Sequence, residues 1–329
     1  MVSIKEVAKH AGVAISTVSK VLNGYPNISN ETKIKVEEAI KELGYIPNSI
    51  ASALSSKKSG RIVLILDPKR QTQSIDQIFV EYLVGALDKA KELGLEVVTI
   101  FPSMIADMTE EEITRYFLSQ NIAGVIMYSL SKTDKTLLKL AKSRNFACVI
   151  VDAPVVNART TSIRIDHEQA QYDVAKLTVE EAVYKKVLYI AGRKDGYVTE
   201  ERLNGMKRLA EEQGLKLMVR QGDFSELAAR NITLKYAKNQ DVIVCASDLM
   251  AIGAMNALIK MDIFRPVCGF DGITLMGYAG KQMNTVRQDF HGISERAVEE
   301  VDRLMKGGEG RSVIMPHSIV KMHYEDIIS

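Results

Sequence analysis

The sequence of 329 residues contains no tryptophan, only three cysteines and only seven prolines. Each cysteine lies in an apolar, strand-like run, and no two form a C-x-x-C pair, so neither a disulfide framework nor a zinc site is expected. Cys148, Cys245 and Cys268 are therefore predicted to be buried, reduced thiols. No N-terminal apolar segment resembles a signal peptide, and no run approaches the roughly 20 apolar residues needed to span a bilayer. These absences predict a cytoplasmic protein with no membrane partner.

Sequence motifs for catalysis are missing as well. The chain has no G-x-S-x-G, no complete G-x-x-x-x-G-K-[ST] and no H-E-x-x-H. Residues 277–282 partly resemble a phosphate-binding loop, but they lack both its spacing and the Ser or Thr that would hold magnesium. The five histidines are scattered without the spacing of metal ligands. We therefore expect no catalytic residues, no metal, no cofactor and no enzymatic activity.

Charge is nearly balanced over the whole chain but not along it. The net charge is +2, and residues 1–60 contain eight Lys, five Glu and no Arg. This segment has an excess of positive charge that favours contact with phosphate groups, whereas the remainder is close to neutral. With 46% hydrophobic and 26% charged residues, the chain has an ordinary globular composition and the length for two or three domains.

The first 47 residues have the pattern of a helix-turn-helix. Residues 4–11 and 16–22 form two short amphipathic helices separated by a tight corner. Ser3 with Glu6 is a capping box at the start of the first helix, and Gly12 stands where the chain reverses direction. A third helix is predicted from about Ser29 to Leu43, and its predicted inner face comprises Ile34, Val36, Ala39, Ile40 and Leu43. A generic three-helix cap without DNA contacts is the alternative.

Three separated runs, Ile4–Val13, Ser16–Asn23 and Leu43–Asn48, resemble the headpiece of LacI/GalR-family transcriptional regulators. The resemblance implies a DNA-binding headpiece at residues 1–47, followed by a hinge helix and linker at residues 48–60. A plain linker is the alternative for this second segment, because its end is polar and flexible. The DNA-contacting residues that the resemblance implies are Ile15, Ser16, Thr17, Lys20, Asn23, Tyr45, Asn48, Ala51 and Leu54.

In such a headpiece the second helix enters the major groove. Lys20 could donate to guanine there, and Ile15 could contact a thymine methyl. Leu54 would insert into the minor groove once two hinge helices pack together on DNA. The family usually has Ser at the position of Ala14, where the hydroxyl caps the second helix. We therefore expect a DNA-reading helix that lacks this cap.

From Arg61 onward, short β-rich runs alternate with longer helical patterns, which is typical of βαβ units around parallel sheets. Strands are predicted at 62–66, 96–101, 124–128, 148–151, 187–190, 242–246 and 267–270. Helices are predicted near 77–93, 109–120, 134–144, 167–183, 199–213, 226–238 and 249–261. The series is too long for one sheet with short connections, so we predict two lobes.

The family resemblance implies that these lobes form a core like that of periplasmic sugar-binding proteins. The predicted fold is therefore α/β: a three-helix headpiece and a hinge helix, followed by a two-lobed core with parallel sheets at residues 61–329. The N-lobe is placed at about 61–159 and 290–316, and the C-lobe at about 162–287 and 318–329. The first crossing between the lobes is expected near residues 157–162.

Polar or aromatic residues follow several predicted strands, at the sheet edge where open α/β sheets bind ligands. Carboxylates there suit a polyhydroxylated ligand, because each can accept hydrogen bonds from two neighbouring hydroxyls. With the family resemblance, the residues expected to contact an effector are Phe79, Ser129, Asp152, Arg202, Phe224, Ser247, Asp271 and Gln288.

Other interpretations remain open for several of these positions. Arg202 could form a surface ion pair with Glu200 or Glu201. Phe224 and Phe79 could be core residues. Asp248, which also follows a strand, is predicted to cap the next helix rather than touch a ligand.

The sequence as a whole predicts a homodimeric transcriptional repressor that binds operator DNA and responds to a small-molecule effector, a carbohydrate by resemblance. A nucleoside or purine is the alternative effector, since Phe224 can stack on a base as well as on a sugar. A corepressor protein could also replace the small ligand, as in some relatives that regulate carbon metabolism. A solute-binding receptor would share the two-lobed body, but it needs a secretion signal and has no use for residues 1–54.

Overall fold

Two units make up the chain, Met1–Gly60 and Arg61–Ser329. The computed structural model describes residues 3–22, 28–43, 60–66, 77–181, 183–279 and 282–322. The predicted hinge helix therefore lies outside the described residues. Each unit has a hydrophobic core of its own.

Three helices form the described part of the first unit: α1 (Ile4–His10), α2 (Ile15–Leu22) and α3 (Asn30–Leu43). The predicted capping box is present, because the Glu6 carboxylate accepts hydrogen bonds from both the N–H and the hydroxyl of Ser3. Gly12 adopts a φ of +65° in the corner between α1 and α2, as its position predicts. The fully packed core of this unit comprises Val7, Ala8, Val18, Val36 and Ala39.

The inner face of α3 differs from the prediction at one position. Val36 and Ala39 are buried, and Ile40 and Leu43 pack against them. Ile34 is 53% exposed, because it precedes Val36 by two positions and so lies about 200° around the helix from it. The predicted burial of Ile34 is therefore wrong.

The second unit contains two six-stranded sheets. The strands of the first are β1 (Arg61–Ile65), β2 (Glu96–Ile100), β3 (Ile122–Met127), β4 (Ala147–Val151), β5 (Thr160–Ile165) and β11 (Ser312–Met315). They are ordered β11-β5-β4-β3-β1-β2, and every neighbouring pair is parallel. The helices of this lobe are α4 (Gln77–Leu93), α5 (Glu110–Ser119), α6 (Lys135–Lys142) and α11 (Phe290–Met305). A short 3-10 helix spans Pro102–Met104.

The second sheet repeats this arrangement. Its strands are β6 (Lys186–Ala191), β7 (Lys216–Gln221), β8 (Val242–Cys245), β9 (Val267–Cys268), β10 (Met283–Gln288) and β12 (His317–Met322). Their order is β12-β10-β9-β8-β6-β7, and only β12 runs antiparallel to its neighbour. The helices are α7 (His167–Val179), α8 (Tyr197–Gln213), α9 (Glu226–Tyr236) and α10 (Asp248–Lys260), with 3-10 turns at Ala237–Asn239 and Thr274–Tyr278. The predicted α/β core of two lobes with parallel sheets is confirmed.

The chain passes between the two sheets three times. The first crossing comes at Asp166, later than the expected region 157–162, because β5 pairs with both β4 and β11 in the first sheet. Asn157 and Thr160 form a tight turn with two backbone hydrogen bonds, and this polar turn has the composition of a linker. The other two crossings fall at Asp289 and Pro316.

Near-continuous apolar strands account for the core of each lobe. Helices cover both faces of a parallel sheet, so its central strands are buried on both sides. All five residues of β4 are buried, and so are all four of β8. The three cysteines are buried and free of disulfide bonds, as predicted.

Candidate functional site

All eight side chains predicted to contact an effector line one cavity of about 250 Å³. The cavity lies between the two sheets, since its walls come from the carboxyl ends of strands in both. Phe79 lies on α4, Arg202 on α8 and Gln288 at the end of β10. The other five directly follow strands or short turns after them: Ser129, Asp152, Phe224, Ser247 and Asp271.

Strained backbone is concentrated in this lining. Ser129, Asp152 and Phe224 have φ values of 55°, 64° and 61°, and Asp271 has a φ of 132°. Positive φ is uncommon for residues other than glycine and costs on the order of 1–3 kcal/mol at each position. Half of the predicted contact residues thus hold a conformation that only the surrounding packing can enforce.

Asp152 is connected to Arg202 through a histidine that the sequence did not single out. His167 is fully buried, and its Nε2 lies 2.9 Å from the Asp152 carboxylate. Its Nδ1 accepts a hydrogen bond of 3.4 Å from Arg202 Nε. The ring proton therefore lies on Nε2, which donates to Asp152. Burial is the largest cause that lowers the pKa of His167, so the ring is neutral near pH 7.

Arg202 is held inside the cavity wall. It is 4% exposed, its Nη1 donates to the carbonyl of Ala246 at 2.6 Å, and its guanidinium stacks on the Phe270 ring at 3.6 Å. A surface ion pair with its neighbours on α8 is therefore ruled out. Glu201 instead bonds Arg164 of β5 at 2.9 Å, and Glu200 pairs with Lys132.

Asp271 meets both Arg202 and Gln288. The Asp271 carboxylate lies 3.6 Å from Arg202 Nη1 and accepts a 3.1 Å hydrogen bond from Gln288 Nε2. Gln288 Oε1 is buried and has no hydrogen-bond partner among the described residues. An acceptor left unsatisfied in the wall of a cavity is free to bind a ligand hydroxyl or amino group.

The capping prediction for Asp248 is wrong. Ser247 caps α10, because its hydroxyl accepts the N–H of Met250 at 3.3 Å. Asp248 is the first residue of the helix and is fully buried, with its carboxylate turned toward the loop after β9. There it accepts hydrogen bonds from the N–H groups of Gly272 and Ile273. The carboxylate thus fixes the loop that carries Asp271.

The Phe224 ring packs directly against Gly192. A Cβ added to Gly192 would lie 2.1 Å from Phe224 Cζ, so only glycine leaves space for the ring there. Phe224 packs against the hydrophobic core and also lines the cavity, as does the partly buried Phe79. Both rings therefore belong to the core and also line the cavity. Their contact with an effector stays a prediction.

Other lining residues escaped the sequence analysis. Tyr82, Tyr128 and Phe290 form a ring cluster, with centroids 4.7 and 5.3 Å apart. Their apolar neighbours in the sequence give them the pattern of core residues. Arg193 and Asp195 lie in the polar loop after β6 and form a bidentate ion pair at 3.0 and 2.6 Å.

Contacts across the mouth of the cavity join the two lobes. The Lys132 N–H donates to the Asp195 carbonyl at 2.8 Å, and the Thr133 hydroxyl donates to the Asp195 carboxylate at 3.2 Å. Lys132 also forms its ion pair with Glu200. We call these four residues the mouth contacts. In this conformation they hold the lobes against each other.

A second candidate surface lies on the first unit. Ile15, Ser16 and Lys20 are exposed on α2, and Ile15 is 44% exposed. Thr17 is half-buried, while Val18 on the opposite side of the helix anchors the core. The remaining predicted DNA contacts, Asn23, Tyr45, Asn48, Ala51 and Leu54, lie outside the described residues.

Within the described ranges the structure has neither a metal site nor a membrane-spanning helix. There, no group of three His, Cys, Asp or Glu side chains is arranged to hold a metal ion. No helix in the same ranges is long and apolar enough to cross a membrane.

Comparison with known proteins identifies both units. Residues 3–48 match the model for bacterial regulatory proteins of the lacI family, and residues 71–309 match a periplasmic binding protein domain. The chain belongs to the LacI family of bacterial regulatory proteins. Its similarity to other members of the LacI family extends over nearly the whole chain.

Two relatives and one solved structure illustrate this. The chain is 27% identical to the transcriptional regulator RegA of Clostridium saccharobutylicum, over 97% of this chain and 98% of the relative. It is 26% identical to catabolite control protein A of Priestia megaterium, over 97% of each. The structure of the lac repressor dimer bound to operator and an anti-inducer has a TM-score of 0.82 at 23% identity, over 98% of each chain, which shows a shared fold.

Proposed function

We propose that this protein is a homodimeric, DNA-binding transcriptional repressor whose operator affinity is controlled by a small molecule bound between the core lobes. The proposal assigns no catalytic role to the chain and places it in the cytoplasm with its operator. The observation that carries it is the meeting of eight side chains, from both lobes, around a single cavity in a chain that begins with a helix-turn-helix.

Operator binding is supported by the exposed face of α2. Ser16 and Lys20 lie about one helical turn apart and are exposed together with Ile15. A recognition helix needs such a face of polar and small apolar groups, backed by a packed core. The positive charge of residues 1–60 favours phosphate contact.

A homodimer is supported by an apolar stripe on α4. Val80, Val84 and Leu87 are 45%, 42% and 45% exposed, at a spacing that places them on one face of the helix. Exposed apolar residues grouped on one face are typical of a protein interface. Two headpieces in one dimer would bind the two halves of a pseudo-palindromic operator.

A polyhydroxylated effector, such as a sugar or sugar derivative, is supported by the chemistry of the cavity. The Asp152 and Asp271 carboxylates and the unpaired Gln288 oxygen are acceptors for hydroxyl donors. Phe224 offers an aromatic surface for the apolar face of a sugar ring. We propose that the ligand changes how far the lobes close and so shifts operator affinity by a coupling free energy.

The aromatic lining also favours a second candidate, a nucleoside or purine, because a planar base stacks well on Phe224. A solute-binding receptor would use the core alone and would leave α1, α2 and α3 without a role.

The proposal is tested with the full-length protein. Operator sites would be selected from random DNA, and electrophoretic mobility shifts would then be measured with and without a panel of sugars and nucleosides. We expect a two-fold symmetric selected site and at least one compound that changes its affinity. Asp271→Asn should abolish the response to the compound while DNA binding persists, and Asp302→Asn, a carboxylate of α11 outside the cavity, serves as the matched control. Failure to select any sequence would contradict DNA recognition.

A further inference from the structure

The cations that line the cavity are already paired within it. Arg193 donates two hydrogen bonds to the Asp195 carboxylate, at 3.0 and 2.6 Å. Arg202 Nη1 lies 3.6 Å from the Asp271 carboxylate and donates to the Ala246 carbonyl, while Arg202 Nε donates to His167. Both guanidinium groups in the described lining therefore face a carboxylate of the same lining.

The third carboxylate of the lining has no such compensation. Asp152 bonds the neutral ring of His167 at 2.9 Å. The described lining contains three carboxylates and two guanidinium groups, so it has an excess of one negative charge.

One feature of the lining does favour an anion. Tyr197 and Val198, the first residues of α8, line the cavity, and helix N-termini carry partial positive charge. Asp195 lies two residues before α8 and places a full negative charge at this same end. The carboxylate offsets the partial charge of the helix.

We infer that the effector carries no phosphate group: it is a free polyhydroxyl compound, such as a sugar or a nucleoside, and not its phosphate ester. The inference rests on the proposed function and names the class of ligand for the same cavity. A phosphate ester carries almost two negative charges near pH 7. A phosphate that approaches either arginine also meets the Asp195 or the Asp271 carboxylate, and the repulsion between like charges opposes its binding. Hydroxyl groups instead donate to the carboxylates and to Gln288 Oε1 without breaking an ion pair.

Matched pairs of compounds test this by isothermal titration calorimetry on the full-length protein at pH 7.5. Suitable pairs are glucose with glucose 6-phosphate, fructose with fructose 6-phosphate, adenosine with AMP, and guanosine with GMP. We expect at least one parent compound to bind, and its ester to bind at least about tenfold more weakly. An ester that binds more tightly than its parent overturns this inference and leaves the proposed function standing. Absence of binding in every pair contradicts the proposed function, and the inference with it.

Asp195→Asn tests the cause of the discrimination. The change frees Arg193 from its partner, so the ratio of parent to ester affinity should fall by at least about threefold. Asp302→Asn removes a carboxylate that pairs with Lys306 at 2.6 Å outside the lining, and it should leave the ratio unchanged. A ratio that stays the same in a folded Asp195→Asn protein, as judged by circular dichroism, overturns the role given to the paired cations.

Discussion

The Asp248 carboxylate accepts the backbone N–H of Gly272 at 2.7 Å, from within a fully buried position. The same oxygen accepts the N–H of Ile273 at 2.8 Å, and the other oxygen accepts the Thr285 hydroxyl at 2.5 Å. Because Asp271 immediately precedes Gly272, one side chain at the start of α10 fixes the loop that carries a cavity carboxylate. Asp248 thus acts on the site through a neighbour.

Replacing Asp248 by alanine should weaken effector binding. The change leaves two partly buried backbone donors without an acceptor, at a cost of at most about 1–3 kcal/mol each, and the loop that presents Asp271 would shift. Asp248→Asn keeps an acceptor oxygen and should retain most of the affinity. Calorimetry with a compound found to bind in the titrations described above would compare the two variants, and equal affinities would contradict the positioning role.

Asp248 should also make stability depend on pH. Burial is the largest cause that raises its pKa, to about 7. Between roughly pH 4 and 7 the unfolded carboxyl is therefore ionised while the folded one keeps its proton, so this group's contribution to stability falls as pH rises through that window. Asp248→Asn cannot ionise, so the free energy of unfolding of the wild type relative to this variant should decrease over the same window. Urea denaturation of both proteins at several pH values measures this difference in the free energy of unfolding. A difference that does not change with pH would argue against the raised pKa.

Gly192→Ala should push the Phe224 ring into the cavity. The added Cβ would lie 2.1 Å from Phe224 Cζ, well inside contact distance. We expect a loss of effector affinity of about tenfold or more, because the displaced ring would occupy space in the cavity, and a loss of folding stability of about 1–3 kcal/mol from overpacking. In a Phe224→Leu background the same change should add little, because the clashing ring is gone. Full additivity of the two losses would show that the glycine acts elsewhere.

The mouth contacts should slow release of the effector. Lys132→Ala removes the ion pair with Glu200, and Thr133→Val removes the hydroxyl that donates to Asp195. Exposed ion pairs contribute only about 0–1 kcal/mol, so the double variant should raise the dissociation rate by roughly two- to tenfold. Stopped-flow measurements would compare it with Lys139→Ala, a change of equal charge on α6. A rate that matches this control would contradict the role of the mouth contacts.

Ala14→Ser should stabilise the helix that we propose reads DNA. Ala14 precedes α2, and its carbonyl accepts the N–H of Thr17 at 2.9 Å. A serine hydroxyl at this position could accept a further N–H of the first turn and add about 1 kcal/mol of local stability. Hydrogen exchange measured by mass spectrometry on the full-length chain should show slower exchange in residues 15–22. Ala14→Gly is the control, and unchanged exchange in the serine variant would contradict the absence of a cap in the wild type.

The sequence predicted the fold well where one local pattern decides the structure. The apolar runs that became β1, β4 and β8 have few alternatives to a buried parallel strand. The sequence did not place β5 in the first sheet, because that placement depends on its pairing with β4 on one side and with β11, about 150 residues later in the chain, on the other. No local pattern contains that information.

In the candidate site as well, residues marked by a local pattern could be predicted, and residues that depend on long-range contacts could not. Residues that directly follow strands, such as Asp152 and Asp271, could be named because strand ends converge at one edge of a sheet. His167 could not be named from the sequence, since its role depends on contacts with Asp152 and Arg202 that form only in the folded protein. Asp248 was misjudged because a carboxylate at the start of a helix usually caps it, and here Ser247 already does so.

The three passages of the chain between the sheets, at Asp166, Asp289 and Pro316, limit how the lobes can move. Three covalent tethers side by side resist sliding and twisting of one lobe past the other, whereas a single rotation about their common line strains none of them strongly. If the proposed function holds, a ligand in the cavity would act on the angle of this one rotation.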